Sequence, residues 1–405
     1  MKKNIIIIFG IILLSISSNF VFATEIIEDI EDIPNIQVES MEENTFPETK
    51  FIKAKVIEVK SIEEEINGTL YKKQDLRVEI LNGDRKGDQI EVLGSNSINL
   101  DKSQTYREGD RLIVSENKYS NEITYSVYDR DRINGILMVT GIFFLFAMIV
   151  TKLKGLGSII GLFLSILVLM SYILPAIIKG QDPLIVTLIG TLFIASISLF
   201  MAHGFRLRTT IAFISLMITF IFSYFVSWFF ANISLMFGAG EEGAFYTQYL
   251  IQDLNNVTID LKGLYLAGIM IGMLGVLDDV TIAQSSALDE IKRANPKIKF
   301  KQLYLAGVSI GREHIASLIN TLALAYVGAS LPLFLTLYVN ERNDPLWVIL
   351  NSEYISQEII RTMAGSFAIV LAVPITTFIS AKVYTHPKIK LKKNKKGEIS
   401  HTHHH

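Results

Sequence analysis

Apolar residues fall into two regimes along this chain. Between Phe51 and Tyr128 they alternate with polar ones, whereas beyond Ile133 they run in long unbroken blocks. Alternation with a period of two predicts half-buried strands. The stretches are Phe51 to Val59, Leu76 to Leu81, Gln89 to Leu93, Arg111 to Val114 and Ile123 to Tyr128, with turns at Asn82-Gly83 and Glu108-Gly109-Asp110. Five short strands suggest a small β-barrel of OB-like type over residues 49–129. They carry no basic, aromatic-studded face, so nucleic acid is not expected as a partner. A binding or assembly module is the better expectation.

The unbroken blocks are long enough to cross a bilayer as helices. They run from Ile133 to Val150, Leu156 to Ile178, Leu184 to Met201, Ile211 to Ile233, Leu264 to about Ile291, Leu303 to Val327 and Met363 to Tyr384. The expectation is a mainly α polytopic bundle of seven spans within residues 133–384. Residues 328–360 fit no span: Pro332 interrupts a short apolar run, and the rest mixes apolar with charged residues, as a break, a re-entrant piece or an interfacial helix does.

Loop charge orients such a bundle. Lys152, Lys154, Arg206, Arg208, the lysines and arginine between Lys292 and Lys301, and Lys388 to Lys396 all fall on one side. The alternate loops carry Asp182, Glu241, Glu242 and Asp344. That places the basic tail, 385–405, in the cytoplasm and the β-domain outside. Glu241, Glu242 and Tyr246 would then meet the barrel or guard an outer mouth. At the other end, Lys2-Lys3, an apolar run and Val21 to Ala23 describe a secretory signal or an uncleaved anchor helix over residues 1–23. The acidic stretch 24–48 reads as a solvated linker.

Composition adds little beyond this. Half of the 405 residues are hydrophobic, and there is no cysteine, which removes disulfides and thiolate metal sites. His401 and His403 to His405 read as a tail or tag and are set aside.

Candidate chemistry sits where a membrane should hold no charge. The fifth block carries Asp278, Asp279, Thr281, Gln284 and Ser285; the sixth carries Arg312, Glu313, His314, Ser317, Asn320 and Thr321. Ionisable groups in a bilayer are costly and are functional candidates by default. The two blocks form a hairpin about a loop near Pro296. With a rise of about 1.5 Å per residue, positions whose numbers sum to roughly 593 share a depth, about 20 Å from the cytoplasmic ends. Asp279 is then level with His314, and Thr281 with Arg312. Ser309, Glu313, Ser317, Asn320 and Thr321 make one helical stripe; Asp278, Thr281 and Ser285 make another. Gly268, Gly272, Gly275, Gly307 and Gly311 permit close helix approach. The segments beginning at Leu264 and Leu303 also echo one another, as an inverted repeat would.

Together, Asp278-Asp279 with Gln284, and Gly311 to His314 running on to Asn320, Tyr326 and Gly328, resemble the YibE/F family of bacterial multi-pass proteins, from about Phe51 to Tyr384. The resemblance implies an outside β-domain, a helical membrane domain in the bacterial inner membrane and the two polar motifs. It names no substrate.

Several readings compete. The charged groups act as an ion or proton relay, or as a structural ion-pair cluster that fixes register. His314 is either a proton-handling partner of Asp279 or a packing residue, and His203 reads as interfacial. An intramembrane aspartyl hydrolase would need Glu313 as its second carboxylate, because adjacent residues on a helix diverge by about 100°. No HExxH or P-loop pattern occurs. The expectation is a gradient-driven transporter or channel, without cofactor, for an ion or small solute. Asp278 and Asp279 would bind it, Arg312 would be the counter-charge, and Gln284, Glu313, His314, Ser317 and Asn320 would line the path. Its partners are the bilayer and the solute, with a homo-oligomer left open. The alternative is an anchored scaffold or sensor whose β-domain binds a partner.

Overall fold

The computed structural model describes residues 48–387 except 67–68, 94–96, 99–104, 120–121, 241 and 340–343. The signal or anchor stretch, nearly all of the acidic linker and most of the basic tail lie outside the described residues. The chain divides into a sheet-centred unit and a helical unit.

The sheet has six strands: β1 (Glu48–Ile66), β2 (Thr69–Ile80), β3 (Gln89–Leu93), β4 (Ser97–Ile98), β5 (Arg111–Tyr119) and β6 (Glu122–Arg130). β1 is long enough to pair with two partners, β5 along Glu48 to Lys55 and β2 along Ala54 to Ile66. β2 continues to β3, and β5 to β6, all antiparallel. The alternating residues predicted to face inward do so: Ala54, Val56, Leu76, Val78, Ile80, Ile90, Val92, Leu112 and Val114 form one buried core. The expected barrel is not closed. β3, only five residues long, meets β6 at the single parallel pair Leu93 and Ser126, so no continuous ladder seals that seam. β4 is an additional strand that no alternating run announced.

The helices are α1 (Ile133–Thr151), α2 (Leu153–Val168), α3 (Leu174–Ile178), α4 (Pro183–His203), α5 (Leu207–Ile233), α6 (Glu242–Asn255), α7 (Leu261–Ala294), α8 (Phe300–Ala329), α9 (Leu331–Val339), α10 (Leu346–Asn351) and α11 (Glu353–Tyr384). Among the described residues, six stretches are long and apolar enough to cross a membrane: α1, Gly155–Ile178, α4, α5, α7 and α11. This departs from the expected seven. α8 is 30 residues long, but its polar side chains keep it out of that set.

Three local features position the site. First, α2 and α3 form one rod interrupted by a π-helical turn, Leu169–Ile173, in which the Leu174 N–H donates to the Leu169 carbonyl. The cause is written two residues on. Pro175 has no N–H and its ring would crowd the carbonyl four residues earlier, so a wider turn relieves it. Second, α4 begins on Asp182, whose carboxylate accepts from the Leu184 and Ile185 N–H groups at 2.8 and 3.1 Å. It ends at Gly204 with φ of 71°, a backbone state open to glycine. Third, α7 is the central helix. It packs on α4, α5 and α11, and buries Leu266, Ile269, Met270, Met273, Leu274, Leu277 and Val280 in the main core.

Candidate functional site

α7 carries five of the candidate residues, and the structure distributes them over different faces. Asp278 is half-buried and accepts a 2.8 Å hydrogen bond from the Ser198 hydroxyl of α4. Asp279, next along the helix, is exposed. Both line a cavity of about 420 Å³ between α2, α4 and α7, where Ser158, Ser165, Ser198 and His203 supply the other polar side chains. His203 and His314 are both near enough for their charges to act on Asp279. Carboxylates, hydroxyls and an imidazole around one cavity can hold a cation or pass a proton. Among the described residues, no group of three or more His, Asp or Glu converges as a metal cage would.

Two of the other three α7 candidates join helices together. Gln284 is buried, and its Nε2 donates to the Gly307 carbonyl of α8 and the Thr377 hydroxyl of α11, each at 2.7 Å. The Ser285 hydroxyl donates to the Arg208 carbonyl at 3.0 Å and lies 3.1 Å from the Tyr384 hydroxyl. Thr281, also buried, donates back to the Asp278 carbonyl at 3.1 Å.

The depth relation expected between α7 and α8 is close to the one observed. Gly307 lies beside Leu288, Gly311 beside Gln284 and Gly272 beside the Tyr326 hydroxyl, pairs whose numbers sum to within a few of the expected value. The facing differs. α8 turns Leu303, Gly307, Gly311 and Leu322 inward, towards α7 and α11. Arg312, Glu313, His314, Ser317, Asn320 and Thr321 are all exposed. None of them lines the aspartate cavity, and Arg312 forms no ion pair with either aspartate among the described residues.

A second cavity, of about 320 Å³, lies further towards the N-terminal end of α7, between α7, the π-turn with α3, α6 and α11. Gln357 and Arg361 of α11, Thr187 of α4, Thr247 of α6 and Tyr265 of α7 are the polar residues that line it. Gln357 is 1% exposed, and its Oε1 is buried without a hydrogen-bond partner among the described residues. Arg361 pairs with Glu358 at 2.7 Å and lies over the Tyr265 ring. The two cavities share two wall residues, Leu169 on the π-turn and Ile271 on α7. Both shared residues are apolar.

Sequence reasoning passed over Ser158, Ser198, Gln357 and Arg361 and read His203 as interfacial. One signal was available for the first two. Gly157 and Gly161 are four apart, the small-residue spacing that lets helices touch. A Cβ at Gly157 would collide with the Met201 carbonyl of α4, and one at Gly161 would sit 3.6 Å from the Ser198 Cα. That close approach puts the Ser158 and Ser198 segments around one space.

The family model for YibE/F-like proteins matches residues 139–386, and that for the YibE/F family N-terminal domain matches residues 49–130. No curated protein and no solved structure matches the chain. The two family matches cover both the sheet and the helices that build the cavities, and the chain belongs to the YibE/F-like protein family.

Proposed function

We propose that this chain is a gradient-driven transporter or channel for an ion or small solute, with a path running through the two cavities and an apolar waist between them at Leu169 and Ile271. The observation that carries this is the pair of cavities along α7 that share Leu169 and Ile271, with Asp278 and Asp279 lining one and Arg361 and Gln357 the other. A static anchor has no use for polar lining on both sides of an apolar waist. Asp279, exposed to its cavity, would take the cation or proton. Asp278, steadied by Ser198, would hold the second charge, and His203 would exchange protons with the pair. The waist resembles a hydrophobic constriction, which passes solute only when it widens or wets. We place α8 in the membrane as a seventh crossing because it runs beside α7 and α11, two helices that qualify as spans. Loop charge supports a cytoplasmic C-terminus in a bacterial inner membrane, with the sheet unit outside.

The test is purified protein in liposomes with internal dyes for protons and divalent cations. Wild-type flux that Asp279→Asn abolishes, with thermal unfolding unchanged, supports the path. Absence of flux across a broad ion panel counts against it.

A second reading keeps support in the sheet unit. Its strand order resembles the OB arrangement, and a cleft of about 370 Å³ lies over β1, β2, β3 and β6, lined by Glu58, Arg77, Glu91, Ile123 and Tyr125 among others. A partner docked there would make the chain an anchored scaffold or sensor. The hydrolase reading loses its second carboxylate, since Glu313 does not line the Asp278 cavity.

A further inference from the structure

Two observations on α8 conflict in a single copy of the chain. Its inward side is fitted to α7 and α11: a Cβ at Gly307 would sit 2.7 Å from Leu288 and Thr377, and one at Gly311 would strike Val373. These contacts place Gly311 beside the middle stretches of two membrane-long helices. At that depth the outward side presents Arg312, Glu313, Ser317 and Asn320, all exposed. Against hydrocarbon, an arginine, a carboxylate and an amide at mid-membrane are costly and require a partner or water.

The stripe has the pattern of a self-complementary surface. Arg312 and Glu313 are neighbours in sequence, so they lie at nearly one depth and about 100° apart around the helix. When two parallel copies of α8 face each other across a two-fold axis normal to the membrane, each Arg312 meets the Glu313 of the other copy, giving two ion pairs at one level. Asn320 then lies near the axis, two turns along, where an amide can donate and accept across it. Ala316 and Ser317, between these polar levels, are small enough for close contact.

We propose that the outward face of α8 is the interface between two copies of this chain in the membrane, held by reciprocal Arg312–Glu313 pairs and by Asn320. A water-lined face or a different protein would satisfy the same groups, and the opposite charges at one depth favour the second copy over both. The inference rests on α8 crossing the membrane and not on the transport reading, so it stands or falls separately.

The chain has no cysteine, which makes the test direct. Ser317→Cys and Asn320→Cys, each alone in the full-length protein in native membranes, are treated with a mild oxidant. Phe163→Cys on the exposed face of α2 is the control. The expected result is disulfide-linked dimers at the two α8 positions and at least several-fold less at position 163. On the Ser317→Cys background, Arg312→Glu should abolish cross-linking, and adding Glu313→Arg should restore it. Cross-linking no greater than the control would overturn the proposal. So would cross-linking insensitive to the charge swap, or ready labelling of Ser317→Cys by a membrane-impermeant maleimide without dimer, which would indicate a water-lined face.

Discussion

Ser198 of α4 donates a 2.8 Å hydrogen bond to Asp278 of α7, so two membrane-length helices are joined at the wall of the aspartate cavity. A hydrogen bond to a charged acceptor is worth about 1.5–3 kcal/mol, and roughly 1.4 kcal/mol is tenfold in an equilibrium. Ser198→Ala is therefore expected to weaken cation or proton handling about tenfold without unfolding the bundle. Asp278→Asn is expected to abolish it. Concentration dependence of liposome flux distinguishes the two, and equal, unaltered curves for both would count against a role for this pair.

Gln284 should behave in the opposite way. It ties the Gly307 carbonyl and the Thr377 hydroxyl together from a buried position and lines neither cavity. Gln284→Leu leaves both groups short of a partner and is expected to cost about 2 kcal/mol of stability. Thermal unfolding in detergent should fall, while flux per folded molecule stays near wild type. A stable variant with no flux would move Gln284 into the path.

Leu169 and Ile271 line both cavities, and on the proposed path they form the waist between them. Leu169→Ala and Ile271→Ala should enlarge it, and Ile271→Ser should wet it as well. Each is expected to raise passive leak, the serine variant most, with Asp279→Asn suppressing the increase for a cation. Unchanged leak in all three would mean that the cavities are not in series.

In the sheet unit, Asp131 pairs with Lys53 of β1 at 3.2 Å, and the Lys53 hydrogen bond holds its carboxyl below the ordinary carboxylate range. A carboxyl depressed in the folded state contributes stability that is present above its unfolded value, near pH 4, and lost as pH falls through its folded value. Strand unfolding followed by the amide I infrared band of the intact protein should therefore shift to lower temperature on acidification below about pH 4. Asp131→Asn should flatten that part of the curve. A variant with the wild-type slope would show that other carboxylates carry the acid sensitivity.

How far these features were legible in the sequence depends on which geometry they need. The strand core was legible because a period of two leaves no choice of face: Ala54, Val56, Leu76 and Val78 alternate and are buried. Closure of the barrel was not, because it turns on whether five-residue β3 reaches β6, a matter of twist and length. Depth along the α7–α8 hairpin was legible because the rise per residue is constant. Rotation was not. A polar stripe on a membrane helix does not by itself say which side turns inward; the neighbours decide, and the interlock of Gly307 and Gly311 with α7 and α11 turned Glu313 away from Asp278. His203 was invisible as a site residue because nothing local says that the end of α4 lies beside Asp279.

The π-turn at Leu169–Ile173 has an evolutionary and an engineering consequence. A turn of that kind holds one residue more than the helix needs, so it behaves as a reversible insertion. In a regular helix the loss of one residue turns everything after it by about 100°. Here the wide turn absorbs that change, so removing the surplus residue would restore regular winding with the flanking turns near their present facing. Ile173, which lies where a Cβ on Gly190 would come within 2.5 Å, marks the seat on α4 that such a change must respect. The rod that walls both cavities is thus a place where chain length can vary while Ser158 and Ser165 on one side and Ile177 on the other keep their positions.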